Sequence, residues 1–338
     1  MLLTRHLTQV PPLKWKRQSI MNTTNYSSSA STLHCSLTKL PDGGYAIEEY
    51  VFSVLAIFLN LSCPAIILLN ALVVAAVTTK RRLRSKHNTL LASLAVTDLA
   101  VGIAAQPGFI AQEIHFLTGG PPYLTCINTA GRIAYVSTIC LCLASCLHLV
   151  IVSVERFVAM KYPFRYESVV SKSRLTVAVA GSWLITMVYS ILLARIVPGL
   201  KVIPGQTQIL AIVCLLTISY CHISVYFVCR RHEVKIKSEQ VSQEAKAKFL
   251  AERKAWKTTS FIIGFAVICY SPGLLRAVAF YLFPGYTIRR IISRSIHLTM
   301  SSYMANSLCN PIIYCWRSRK IREALKQLLL KKSTQLVS

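Results

Sequence analysis

Four places in the 338-residue sequence carry side chains whose types and spacing could do chemistry. Glu155 and Arg156 end an almost uninterrupted apolar run from Ile133 to Val154. A run of that length can cross a hydrocarbon layer of about 30 Å as a helix. The acid and the arginine therefore stand at a membrane face, where they serve as a structural cap or as a switch, and an arginine there needs an anion. Asp98 is the only acid in the middle of an apolar segment, SLAVTDLAVG. An ionisable group there costs about 2.5–3.5 kcal/mol on insertion scales and marks a functional position by default. Asn310-Pro311-Ile312-Ile313-Tyr314 and Cys269-Tyr270-Ser271-Pro272 put prolines inside two further apolar segments. Each proline removes a backbone hydrogen bond and lets a helix bend. Sets that would do hydrolysis or bind a transition metal are missing. There is no C-x-x-C pair, and His148 and His222 are lone histidines on apolar segments, suited to structural hydrogen bonds. The sequence reads as no enzyme.

The elements that must position these groups are membrane spans. Hydrophobic residues make up 54% of the chain and charged residues only 15%, too little charge for a soluble domain of this length. A net charge of +26 would suit a nucleic-acid partner, but the basic residues lie in the gaps between apolar runs, so no nucleic acid is expected. Most of the 12 cysteines lie inside apolar segments, where a thiol behaves as a small hydrophobe. Seven spans are predicted, at about 51–78, 89–112, 128–154, 175–198, 207–229, 259–283 and 291–315. The seventh is the weakest by hydropathy, with His297, Ser301, Ser302, Asn306 and Asn310 inside it. A polar span is tolerated when that face looks into a bundle.

Of the 38 Lys and Arg residues, 26 follow spans one, three, five and seven. That bias puts the amino terminus outside and the carboxyl terminus inside. The start Met1-Leu2-Leu3, followed by Lys14, Lys16 and Arg17, does not make a cleavable signal peptide. Residues 1–46 read as an extracellular tail with glycosylation sites at Asn22 and Asn25. The sequon at Asn60 should be silent, being buried in the first apolar run. Residues 47–316 form the bundle and 331–338 a short cytoplasmic tail. Between them, 317–330 carries Ile321, Leu325, Leu328 and Leu329 at near-helical spacing with basic residues interleaved, a short amphipathic helix on the inner membrane surface.

Taken together, these segments resemble the rhodopsin-like (class A) G-protein-coupled receptors. Asn70, Leu94, Asp98, Trp183, Pro272 and Asn310-Pro311-Tyr314 match the family's marker residues, and Glu155-Arg156-Phe157 stands where the family has Asp/Glu-Arg-Tyr. The resemblance covers about residues 50–330. It implies an all-α membrane protein, a seven-transmembrane helix bundle at the plasma membrane, whose partners are an extracellular ligand, a heterotrimeric G protein and membrane lipids. It also implies a switch. Arg156 pairs with Glu155 and with Glu252, which falls twenty residues before Pro272. Outward movement of the sixth span then frees Arg156 for the G protein. Tyr226 and Tyr314 resemble the hydroxyls that stabilise the open form, and Pro163 and Phe164 the inner-loop site that enters a groove on the G protein. The competing reading of Glu252 is one solvated charge in a basic helix. Asp98, Ser145, Asn306 and Asn310 suit an allosteric sodium ion; the competing reading there is a water-filled polar network. No other cofactor is expected.

Some family features are missing. Cys126 lies about five residues early, the second outer loop has no cysteine, and Ile218 stands near the fifth span's usual proline. That architecture is similar to the group including melanocortin, lysophospholipid, cannabinoid and adenosine receptors. Cys35 and Cys126, both placed outside, either bridge each other or stay free. Thr138, Met304, Gly108, Tyr135 and Ala277 replace the residues that would mark amine, retinal, melanocortin or adenosine recognition. Thr138, Cys142, Tyr270, Tyr303, Met304 and Arg276 are the expected ligand-pocket positions. Arg132, Arg195, Arg276, Arg289, Arg290 and Arg294 face Glu113 as nearly the only outer acid, which favours an anionic or lipid-like ligand. The alternatives are a non-signalling decoy receptor, for which Phe157 and Tyr270 leave room, and a seven-span transporter. The transporter would want internal repeats or a charged pathway past Asp98, and neither is found.

Overall fold

The computed structural model describes residues 47–119, 129–196, 206–238, 242–283, 292 and 295–336. The sites expected at Asn22, Asn25, Cys35 and Cys126 lie outside the described residues, as do the side chains of Arg132, Arg195, Arg289, Arg290 and Arg294. All regular structure among the described residues is helical. The first span is two helices, α1 (Ile47–Asn60) and α2 (Cys63–Thr79). The second is α3 (Lys86–Ala100), a π turn at Val101–Ala105, and α4 (Gln106–Leu117). The third is α5 (Thr129–Lys161), followed by the short loop helix α6 (Tyr166–Val169). The fourth to seventh are α7 (Lys172–Ile196), α8 (Gln206–Ser238), α9 (Gln243–Leu282) and α10 (Ile296–Arg317). After a break at Ser318, α11 (Arg319–Leu336) runs past the boundary at 330 that its apolar spacing suggests.

Among the described residues, six spans are long and apolar enough to cross a membrane. The seventh, α10, falls short because polar side chains such as His297, Ser301, Asn306 and Asn310 lower its hydropathy; they are tolerated because they are buried inside the bundle. The third span is the central strut. About two-thirds of its most apolar window is buried (67%), against 17% for the fourth, whose Val177, Leu184 and Ile191 face outward.

Two spans that read as straight are interrupted. Pro64 cannot supply a backbone N–H, and the first span breaks just before it, at Leu61 and Ser62. The buried Asn60 side chain turns back to the Ala56 carbonyl (2.7 Å) and across to Ser301 Oγ (2.9 Å). All of its burial is inside the bundle, out of reach of a glycan. Pro107 sits just past the π turn of the second span, where one extra residue per turn re-aims Gln106 towards Asn60 Oδ1 (3.1 Å). Gly102 in that turn lets the first two spans approach closely, since a Cβ there would stand 2.9 Å from Ile67 Cγ1.

At the end of the bundle that carries Glu155 and Arg156, the fifth and sixth spans run on. The fifth continues to Ser238 and the sixth begins at Gln243, capped by Ser242, whose Oγ accepts from Ala245 N (3.3 Å). Ile321, Ala324 and Leu325 of α11 are buried against the bundle.

Candidate functional site

The inner cluster is built on the last turns of the third span. Glu155 and Arg156 are buried there, at 2% and 3% exposure. Arg156 Nε donates to Glu155 Oε2 (2.5 Å), and Nη2 donates to Glu155 Oε1, a two-pronged pair between neighbours. Arg156 Nη1 reaches across to the sixth span and donates to Glu252 Oε2 (2.6 Å), whose side chain is 35% exposed. Two further partners were not foreseen from the sequence. Tyr166, the first residue of α6, donates its hydroxyl to Glu155 Oε1 (2.6 Å). Burial first, and then that bond to Glu155, raises the Tyr166 hydroxyl well above the ordinary tyrosine range, so it stays a donor. His87 Nδ1 lies 3.4 Å from Glu155 Oε2, without the alignment of a hydrogen bond.

Phe157 packs edge-on to Tyr162 and tilted against Tyr220, with Lys161 Nζ 4.9 Å above its ring. Its place is an inner apolar cluster with Met160, Val225, Cys229, Phe249 and Trp256, where a phenol oxygen would find little to bond. Pro163 is exposed, and Phe164 is fully so. Tyr226 and Tyr314 are not brought to Arg156. Tyr226 is half-exposed against Phe227, while Tyr314 is fully buried and its hydroxyl makes no hydrogen bond among the described residues.

Midway through the bundle, Asp98 is fully buried and accepts three hydrogen bonds. Ser145 Oγ donates at 3.2 Å, Ser307 Oγ at 2.8 Å and Asn310 Nδ2 at 2.7 Å. Asn306 is brought to Ser145 (3.5 Å) rather than to the acid. Ser307 was missed, although it lies three residues before Asn310 on the same helix face. Asn306 Oδ1 and Asn310 Oδ1 make no hydrogen bond among the described residues. A carboxylate, two hydroxyls and two spare amide oxygens are all hard donors, a set that could hold a hard cation. Groups of three or more His, Cys, Asp or Glu able to hold a metal are absent among the described residues.

The outer half differs from expectation in two ways. The ligand-pocket positions do come together, but they are packed shut. Tyr270 donates to the Cys142 carbonyl (2.8 Å), its ring lies 5.2 Å from that of Tyr303, and Thr138 and Met304 are fully buried. A cavity of only about 20 Å³ remains between Ile139, Cys142, Tyr270 and Tyr303. Tyr303 closes it because Gly273 has no side chain: a Cβ there would overlap the Tyr303 hydroxyl at 1.5 Å. Arg276 sits at the edge, with its buried Nε making no hydrogen bond among the described residues.

Secondly, Glu113 is an interhelical partner rather than a free acid. It is fully buried, accepts from His297 Nδ1 (2.8 Å) and Ser53 Oγ (2.5 Å), and so joins the seventh, second and first spans. His148 and His222 make structural contacts. His148 Nδ1 faces the Ala144 carbonyl (2.7 Å) and must donate, leaving Nε2 to accept from Ser93 Oγ (3.0 Å). His222 Nδ1 lies 3.1 Å from Ser260 Oγ.

Residues 69–198 and 202–314, well over half of the chain, match the family profile described as 7 transmembrane receptor (rhodopsin family).

Proposed function

This chain belongs to the rhodopsin family of seven-transmembrane receptors, and from that premise we propose that it is a plasma-membrane receptor whose ligand-driven sixth-span movement activates heterotrimeric G proteins. The observation that carries the reading is the ion pair between Arg156 and Glu252, which joins the inner ends of the third and sixth spans. The sixth span has a proline, Pro272, above the pair, so its inner end can swing about that point. Swinging outward breaks one bond of Arg156 and leaves the two to Glu155, so the guanidinium stays oriented while one donor becomes available to a G-protein segment. Tyr314, whose hydroxyl makes no hydrogen bond among the described residues, and Tyr226 are the groups left to satisfy the open arrangement. Pro163 and the exposed Phe164 supply an apolar contact beside it.

The amino terminus is extracellular in this reading, on the charge bias of the loops. A sodium ion at Asp98 with Ser145, Asn306 and Asn310 stabilises the closed form, a role supported by the two spare amide oxygens. The ligand is anionic: Arg276 keeps a buried N–H that makes no hydrogen bond among the described residues, beside the tyrosine-lined closed pocket. Equal binding of neutral and anionic analogues, unaffected by Arg276→Ala, refutes that last point.

The deciding experiment is ligand-free signalling in cells, read through cAMP, calcium and Rho, for wild type, Glu252→Ala and Arg156→Ala. Basal signalling that rises with Glu252→Ala and disappears with Arg156→Ala is the expected result. Silence from all three at verified surface expression leaves the family standing and turns the reading to a non-signalling decoy.

A further inference from the structure

On the outward-facing side of the bundle's inner half, a cavity of about 260 Å³ opens between the third span, the fourth span and the loop helix. Val154 and Val158 floor it from the third span, Ala178 walls it from the fourth, and Val170 closes it from the end of α6. The two charged residues in its lining are Glu155 and Arg174. Glu155 turns its carboxylate away, to Arg156 and Tyr166, so only Arg174 offers charge at the mouth. A space with walls of valine, leucine and alanine gives water too few partners to be a stable hydration site. At this depth in a membrane the alternative filling is hydrocarbon, and the half-exposed Val154 and Val169 show that the groove opens towards it.

Arg174 gives the occupant its headgroup. Arg174 Nη1 donates to the carbonyls of Ser168 (2.8 Å) and Val169 (3.0 Å), which pins the end of the loop helix to the fourth span. Its Nε and Nη2 make no hydrogen bond among the described residues, and Lys172 stands exposed two residues earlier. A fixed guanidinium fork beside a second cation matches a phosphate, and the inner leaflet is the anionic one.

We infer that the groove between the third span, the fourth span and the loop helix binds one anionic phospholipid of the inner leaflet, its acyl chain against Val154 and Ala178 and its phosphate on Arg174. This rests on the membrane orientation proposed above, which puts Arg174 at the inner face, but not on signalling. The bound chain packs behind Glu155 and Val170 and so braces the loop helix that presents Tyr166.

The test uses the purified full chain in lipid nanodiscs, with phosphatidylserine and phosphatidylcholine of identical acyl chains, and counts retained lipids by native mass spectrometry. Wild type is expected to retain one phosphatidylserine in preference to phosphatidylcholine. Arg174→Gln lowers that preference about fivefold, the factor for one cation near an anionic surface, while retaining the zwitterionic lipid. Ala178→Trp fills the groove and lowers retention of both lipids. Val154→Phe gives the same reading if Ala178→Trp disturbs the fold. Equal retention of both lipids by wild type, or unchanged retention in both groove-filling variants, overturns the inference. So does full displacement by soluble glycerophosphoserine, which would assign a headgroup contact without an acyl-chain groove.

Discussion

At the outer end of the bundle, Glu113 and His297 are sealed between the first, second and seventh spans; at the inner end, Arg156 and Glu252 join the third span to the sixth. Both are acid–base pairs between helices far apart in sequence, yet their surroundings are opposite. Glu113, His297 and Ser53 are all within 2% of full burial, and Phe116 stacks on Tyr50 and leans on His297 to complete the seal. Glu252 has a third of its side chain exposed and a second acid, Glu155, already holding its partner. Removing one member of a sealed pair strands the other in a dry site, whereas a half-wet pair can exchange its partner for water. The outer pair is therefore suited to hold three helices together, and the inner one to the opening that the proposed switch requires.

That contrast breaks if the two pairs respond alike to mutation. Glu113→Ala is expected to have the largest effect, destabilising the purified receptor by about 3–5 kcal/mol because His297 and Ser53 lose their acceptor. Thermal unfolding in detergent reads it. The double variant Glu113→Leu with His297→Phe should be less harmful than Glu113→Ala, since it leaves no stranded base. A loss from Glu113→Ala no larger than that from Glu252→Ala would remove the distinction altogether.

Asp98 lies between the two extremes: it is as buried as Glu113 but surrounded by neutral donors. If sodium binds there, raising sodium to ten times its dissociation constant should stabilise the protein by about 1.4 kcal/mol, through binding to the folded state alone. Potassium at the same concentration serves as the ionic-strength control, and Asp98→Ala should abolish the difference between the two salts. Equal responses to sodium and potassium in wild type would leave the water-filled network as the better account.

How much of this was legible in the sequence follows from how each group is surrounded there. Asp98, Glu155 and Arg156 stand out because a charge inside or at the end of an apolar run has few innocent explanations. The polar seventh span was legible for the same reason in reverse, as its Asn and Ser residues only make sense facing inward. Partners recruited from distant segments were not. Ser53, Glu113 and His297 are separated by 60 and 184 positions, and nothing local marks which of several polar residues will meet. Tyr166 and His87 look like ordinary loop-edge residues until the loop helix folds back on Glu155. The expected pocket positions do meet, but hydropathy cannot tell that Gly273 lets the Tyr303 ring slide in and close the space. The breaks at Leu61 and Val101–Ala105 escaped because hydropathy averages over a window, while Pro64 and Pro107 act on single hydrogen bonds.

At the inner end the effects should be smaller in stability and larger in signalling. Glu252→Gln keeps one oxygen for Arg156 and removes the charge from a partly solvated pair, which should cost about 1 kcal/mol or less. Its basal nucleotide exchange on G protein should nevertheless rise, since the closed state loses its tie across the third and sixth spans. A drop in stability like that of Glu113→Ala, with no change in exchange, would make Glu252 a holding residue like its outer counterpart.

The finest division is within the inner cluster itself, between the bond that opens and the bonds that keep Arg156 aimed. Tyr166→Phe removes one neutral hydroxyl from Glu155 and leaves both of that acid's bonds to Arg156 in place. The expected loss is about 1 kcal/mol at most, the usual worth of one hydrogen bond. Basal exchange should change little, because the tie to Glu252 is intact. Combined with Glu252→Gln the same substitution should matter more: the tie of Arg156 to the sixth span is then only to a neutral amide oxygen, and Glu155 has lost the hydroxyl that fixed it. A double-mutant cycle on basal exchange measures that coupling. Strict additivity would separate Tyr166 from the switch and assign it to anchoring the loop helix only.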